Sequence, residues 1–265
     1  MKKLVGSIVA VIAVLVIASL AQAQYPEDLN TKESFTDSLT PSVLSLTESY
    51  RSRYVLSNGV VSDKRPVLQT DAFLATKCGL SIDVWQSLPV NLHGIGENYA
   101  TETDLTIGYN RKLFEECVNL SVGVAYYDLH PSMKLGGADL VCGYIELSHD
   151  FKATPKLTLT PFVRSETYFN MCGSVKGDTM PRAGVKLVYD VTSYLAITGQ
   201  TYVLYDPGML DKPAFVGNIE ASAVWKLSKN WKLELPYVRY EGPFNGTDDG
   251  RRPQFVTGGG LSFSF

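Results

Sequence analysis

The feature that most constrains this chain is an alternation of apolar and polar residues that recurs twelve times. In residues 117–128, Val118, Leu120, Val122, Val124 and Tyr126 share one parity, and Asn119, Ser121, Gly123 and Ala125 share the other. A period of two puts these sets on opposite faces of an extended strand, which therefore has two different environments. The pattern returns in windows 44–56, 65–77, 79–88, 99–110, 139–151, 156–169, 181–190, 193–205, 214–227, 230–241 and 253–265. An even number of such segments is what an antiparallel sheet closed into a single-chain membrane barrel requires.

The joints between windows alternate in length. Long polar or Gly/Pro-bearing segments follow the odd-numbered windows, at 57–64, 89–98, 129–138, 170–180, 206–213 and 242–252. Tight joints follow the others, such as Lys77-Cys78, Ala153-Thr154-Pro155, Val191-Thr192 and Ser228-Lys229. A membrane barrel has this asymmetry because its periplasmic turns are short and its extracellular loops long. A soluble sandwich has no reason to sort its loops by parity. The expected fold is an all-β transmembrane antiparallel barrel of twelve strands over residues 43–265.

Both ends of the chain agree with export to an outer membrane. Lys2 and Lys3 precede an apolar run from Leu4 to about Leu20, and Ala21-Gln22-Ala23 offers a small-x-small exit. That order marks residues 1–23 as a secretory signal peptide; the competing reading is an uncleaved anchor, whose apolar length the run approaches. Residues 24–42 are polar, turn-rich and without period, so they read as a flexible periplasmic leader. No later stretch is apolar for long enough to be a spanning helix. At the far end Leu261, Phe263 and Phe265 alternate with Ser262 and Ser264, which places Phe255, Leu261, Phe263 and Phe265 toward lipid. Trp225 and Trp231, with Tyr109 and Tyr189, fall near the short turns and form an expected interfacial girdle.

With 24 Lys and Arg against 27 Asp and Glu, the chain has a formal charge of −3 and lacks the basic footprint of a nucleic-acid binder. Outer-membrane lipid and small solutes are the expected partners. On the inward parity, acidic Asp71, Asp83, Glu102, Asp104, Glu146 and Asp150 fall on strands two to six. Basic Arg51 and Arg53 fall on strand one, and Arg164, Arg182, Lys186, Lys226 and Lys232 on strands seven to eleven. If strands close in order, one wall of the lumen is acidic and the other basic, and the field between them sorts passing solutes. The alternative is a barrel filled by its own salt bridges, structural or adhesive; Glu166, Glu220 and Glu234 among the basic strands favour pairing there.

Chemistry beyond permeation has little support. His93, His130 and His149 lie outside any HExxH or GxSxG pattern, and an acyl hydrolase would have to rest on His149 with outward Ser165. No residue reads as catalytic, no cluster has metal-ligand spacing and no cofactor motif is present. Four cysteines in an exported chain read as disulfides. Matching strand ends pairs Cys78 with Cys117 and Cys142 with Cys172, one of three possible connectivities.

Several stretches resemble the TorF family of bacterial porins. They are Ser52-Arg53-Tyr54-Val55 with Gly59, Pro66-Val67-Leu68-Gln69, Gly79-Leu80-Ser81-Ile82-Asp83-Val84-Trp85-Gln86-Ser87, and Glu102-Thr103-Asp104-Leu105 with Gly108-Tyr109. They cover roughly the first third of the exported part. Leu56-Ser57-Asn58 stands where the family tends to show an Arg-Gly step, and the cysteines are not part of its pattern. The resemblance implies an outer-membrane pore of unassigned substrate and carries over no catalytic residue.

Overall fold

The computed structural model describes residues 41–57, 59–90, 101–114, 117–130, 139–170, 177–208, 212–244 and 252–265. Its strands are β1 (Pro41–Arg51), β2 (Tyr54–Val55), β3 (Val61–Asp63), β4 (Val67–Thr76), β5 (Leu80–Pro89), β6 (Thr101–Leu113), β7 (Val118–His130) and β8 (Leu140–Ser148). They continue as β9 (Phe151–Thr154), β10 (Leu157–Asn170), β11 (Thr179–Asp190), β12 (Leu195–Asp206), β13 (Ala214–Lys226), β14 (Trp231–Pro243) and β15 (Gln254–Ser264). Each barrel strand pairs antiparallel with its neighbours in sequence order, and β1 closes the ring on β15, with Ser45 opposite Ser264 and Arg51 opposite Gly258. The result is a closed twelve-strand antiparallel barrel, in which β9 continues the line of β8 and β2–β3 is a separate hairpin.

All twelve windows fall on barrel strands. Two differ from the expectation in extent. The first leaves the wall at Arg51, so Arg53 belongs to the loop that follows and not to strand one. The sixth breaks at His149-Asp150 between β8 and β9. The expected signal peptide and all but the last two residues of the expected leader lie outside the described residues. Those two, Pro41 and Ser42, are already strand.

Outward side chains form two aromatic belts. Trp225, Trp231, Tyr189 and Phe265 are exposed near the short turns, and Trp231, Phe263 and Phe265 pack ring against ring. Near the long loops Tyr205 packs on Phe215 and Tyr240 on Phe255. Phe215 and Trp225 lie on one strand, about 33 Å apart at ~3.3 Å per residue. A strand tilt of about 40° turns this into about 25 Å along the barrel axis, the height of the apolar band of an outer-membrane barrel. Between the belts the outward positions are apolar, such as Ile219, Val203 and Val185.

A bulge in β14 changes which residues face inward. Glu234 is opposite Gly260, whereas Tyr237 is opposite Gly258, so β14 carries one extra residue there. Pro236 lies inside the bulge, where its lack of an N–H removes no ladder bond. Strict alternation from Lys232 and Glu234 would send Tyr237, Arg239 and Glu241 outward. The bulge brings all three inside, where Arg239 and Glu241 pair.

Candidate functional site

After Arg51 the chain folds into the bore. Ser52 N donates to Thr257 O at 2.8 Å, Thr257 N to Ser52 Oγ at 3.0 Å, and Arg53 Nη1 to Gln254 Oε1 at 2.7 Å, which tether this exit to β15. The β2–β3 hairpin then reaches both sides of the barrel. On one side the buried Tyr54 hydroxyl donates to Glu102 Oε2 of β6 at 2.7 Å, and its ring lies 5.5 Å from that of Trp85. On the other, Arg239 Nη1 of β14 donates to Val55 O at 3.3 Å, and Gly59 lies against Val216 of β13. Strands β6 and β13 are six apart in a ring of twelve, so the loop spans the bore. Gly59 turns with a φ of +80°, a conformation that strains any residue with a side chain.

The loop bounds an internal cavity of about 540 Å³, with Glu102 and Asp104 on one flank and Arg164, Arg182 and Arg239 on the other. That volume suits a small organic solute.

The basic flank is neutralised by its own wall. Arg164 Nε donates to Glu166 Oε1 at 2.8 Å and Nη1 to Glu146 Oε2 at 3.5 Å, while the guanidinium lies 4.1 Å above the Tyr144 ring. Arg182 donates to the same Glu166 oxygen at 2.6 Å and faces Tyr202. Lys186 donates to Glu146 Oε1 at 2.9 Å over the Phe162 ring. Farther round, Arg51 donates to Glu234 Oε2 at 2.8 Å with Tyr237 3.8 Å beneath it, and the Tyr237 hydroxyl donates to Glu220. Tyr144 fits because Gly108 and Gly123 face it: a β-carbon on either would lie within 2.8 Å of its hydroxyl. Planar guanidinium between a carboxylate and a ring is the arrangement in which arginine is best satisfied.

The acidic flank is different. Asp71, Trp85, Asp104 and Tyr127 stand opposite one another in a single row across β4, β5, β6 and β7. Asp71 and Asp83 are within hydrogen-bonding reach of each other, as are Glu102 and Asp104. Among the described residues no lysine or arginine forms an ion pair with any of these four carboxylates. Oδ1 of Asp83 and of Asp104 is buried and accepts no hydrogen bond; on the basic flank Nε of Arg182 and of Arg239 and Oε1 of Glu241 are likewise buried without a partner, but each of those groups keeps an ion pair through another atom.

Of the residues expected to line the lumen, the structure brings Glu102, Asp104, Arg164 and Arg182 together around the cavity and places Asp71, Asp83, Arg51 and Lys186 on the walls beside it. Glu146 was expected on the acidic wall; it instead serves Arg164 and Lys186, because β8 lies next to β10 in the ring. Asp150 is also reassigned: it is exposed and accepts from Thr160 at the short-turn end. Lys226 pairs with Asp190 on that same rim, and Lys232 is exposed there. Sequence reasoning missed Tyr54, Arg239 and Glu241. Pro236 inside a strand window was the available sign of the bulge that turns the last two inward.

Cys78, Cys117 and Cys142 are free thiols, so the expected Cys78–Cys117 link is not formed. Leu80 at the start of β5 lies opposite Tyr109, yet β6 runs on to Leu113 opposite Val118. The Cys117 turn thus projects about 13 Å past that start, beyond the ~4.4–6.8 Å between bridged Cα atoms. Cys142 is buried beside Ala125 and Tyr168, and Cys172 lies outside the described residues. His149 and Ser165 form no dyad: His149 N donates to Pro161 O, four residues and about 13 Å of strand from Ser165.

No family model matches the chain, and no curated protein matches its sequence. Solved structures do share the fold. A NanC porin is 15% identical with a TM-score of 0.50, over 83% of this chain and 98% of that one. A KdgM porin in complex with disordered oligogalacturonate is 12% identical with a TM-score of 0.52, over 84% and 99%. An outer-membrane channel from Pseudomonas putida F1 is 12% identical with a TM-score of 0.52, over 84% and 95%. At these identities the similarity establishes the barrel and leaves the solute to be argued from the bore.

Proposed function

We propose that this chain is a porin-like channel of the bacterial outer membrane, through which small charged or zwitterionic solutes diffuse passively. The observation that carries this reading is the charged cavity of about 540 Å³ inside the barrel, bounded by the inward loop. Charges of both signs at a constriction act on solutes more strongly than in bulk water, because the walls exclude solvent. In this reading the short turns face the periplasm and the long loops the exterior. The fold shared with NanC and KdgM porins supports it, as does the TorF-family resemblance of the residues that build the loop and the acidic wall.

The test is conductance of the purified, folded barrel in a planar bilayer. Discrete current steps are expected; a heat-modifiable barrel that inserts without conducting would replace this reading with that of a filled, structural barrel. That second reading draws on the paired charges of the basic wall. Orientation is checked separately by tags on intact cells: one beside Lys212 should be labelled and one beside Ser228 should not.

A further inference from the structure

The two walls of the bore hold the same kinds of group, less one. On the basic side a cation, a carboxylate and a ring come together repeatedly, as in Arg51 with Glu234 and Tyr237 or Arg164 with Glu166 and Tyr144. On the acidic side the carboxylates and rings alternate in register as Asp71, Trp85, Asp104 and Tyr127, with Glu102 beside them. Among the described residues no cation lies over Trp85 or Tyr127. We propose that the solute supplies the third member: the channel selects organic cations, an ammonium group on a short apolar body. The charge passes alongside Glu102 and Asp104 while the body slides against Trp85 and Tyr127. This rests on the channel reading above and specifies its solute class.

Three physical points support it. Arg51, Arg164, Arg182 and Arg239 are compensated by carboxylates on their own wall, so the field a solute meets is set largely by the carboxylates that have no cationic partner among the described residues. Ammonium groups gain from aromatic faces as well as from carboxylates, most where water is excluded. Among the described residues the acidic side chains do not converge as metal ligands do, which disfavours a dedicated divalent site. A polyanion such as the oligogalacturonate named with the KdgM porin would be repelled by this wall.

The experiment is reversal potential across a KCl gradient, followed by addition of n-butylammonium chloride or, in parallel, potassium butyrate. The wild-type barrel should prefer potassium over chloride about fivefold or more, as a channel with uncompensated carboxylates does. Butylammonium should interrupt the potassium current and butyrate should not. The Glu102→Gln/Asp104→Asn variant should lower the preference at least about twofold, Asp71 and Asp83 remaining in place, and Asp83→Asn provides a weaker version should the double variant fold poorly. Trp85→Leu should weaken the butylammonium block while keeping the potassium preference. A barrel that carries no current overturns the channel reading and this one with it. A conducting barrel that prefers chloride, or whose preference survives loss of the carboxylates, overturns the organic-cation inference alone.

Discussion

Arg164 and Asp104 face the same cavity from strands a quarter of the ring apart, and their surroundings differ in kind. Arg164 has two carboxylates and a ring around it; Asp104 has a ring on either side, a second carboxylate beside it and, among the described residues, no cation. On the basic wall charge is a building material: each group is held by another, and removing one strands its partner. On the acidic wall charge is held against its own interest, which costs stability and is sustained only by the surrounding barrel. The two walls therefore separate roles that a charge count merges, since the more crowded wall holds the structure and the barer one, in the channel we propose, acts on what passes.

The largest test of this contrast is Glu166→Ala. Glu166 is buried and accepts from both Arg164 and Arg182. Its loss should destabilise the barrel in urea by about 3–5 kcal/mol, the usual cost of stranding a buried partner. Glu102→Gln is the counterpart on the other wall. An amide oxygen can still accept from Tyr54 and no cation is stranded, so the change should stay under about 1 kcal/mol. Equal costs for the two would show that the walls do not differ.

Arg51→Ala should have an intermediate effect. Its partner Glu234 is 27% exposed and can be rehydrated, so the cost should be about 2 kcal/mol, between buried and surface pairs. The same variant leaves one more unpaired carboxylate in the bore. The reversal potential should therefore shift further toward potassium, and a shift toward chloride would contradict the assignment of selectivity to unpaired carboxylates.

How much of this was legible beforehand depends on what each residue's role requires. Strand number, loop parity and the aromatic belts follow from the period of two and from Trp and Phe positions, which are local properties. The inward facing of Asp71, Asp83, Glu102 and Asp104 was also legible, because parity and strand order together fix which way they point. Pairing was not: Glu146 belongs to the basic wall because its β10 neighbour presents Arg164 at the same level, a fact of register. Arg239 and Glu241 were hidden by a single extra residue in β14. Tyr54 was hidden because a loop that turns inward has no period to betray it. The fold gathers Tyr54, Gly59, Trp85, Glu102 and Asp104, which lie far apart in the sequence, around the bore.

Tyr54→Phe measures how firmly the loop is tied to the acidic wall. It removes the hydroxyl that donates to Glu102 but keeps the ring against Trp85. One hydrogen bond to a charged group is worth about 1.5 kcal/mol or slightly more. The expected readout is a small loss of stability with noisier single-channel current. An unchanged current record would mean that the remaining tethers, Ser52 to Thr257, Arg53 to Gln254 and Arg239 to Val55, hold the loop without it.

The smallest expected effect supplies the control for the whole comparison. Lys226 and Asp190 form a 3.6 Å pair on the short-turn rim, with side chains 45% and 49% exposed. Water solvates both ions before and after the pair is broken, and two flexible side chains lose freedom in forming it, so Lys226→Ala should cost no more than about 0.5 kcal/mol. Whatever it does cost should vanish in about 1 M salt, where the Debye length falls to about 3 Å. Glu166→Ala should keep most of its effect in the same salt, because the guanidiniums it leaves behind are largely shielded from solvent. If both variants respond to salt alike, it is the number of ion pairs and not their enclosure that stabilises the basic wall, and the difference between the two walls would then lie in charge alone.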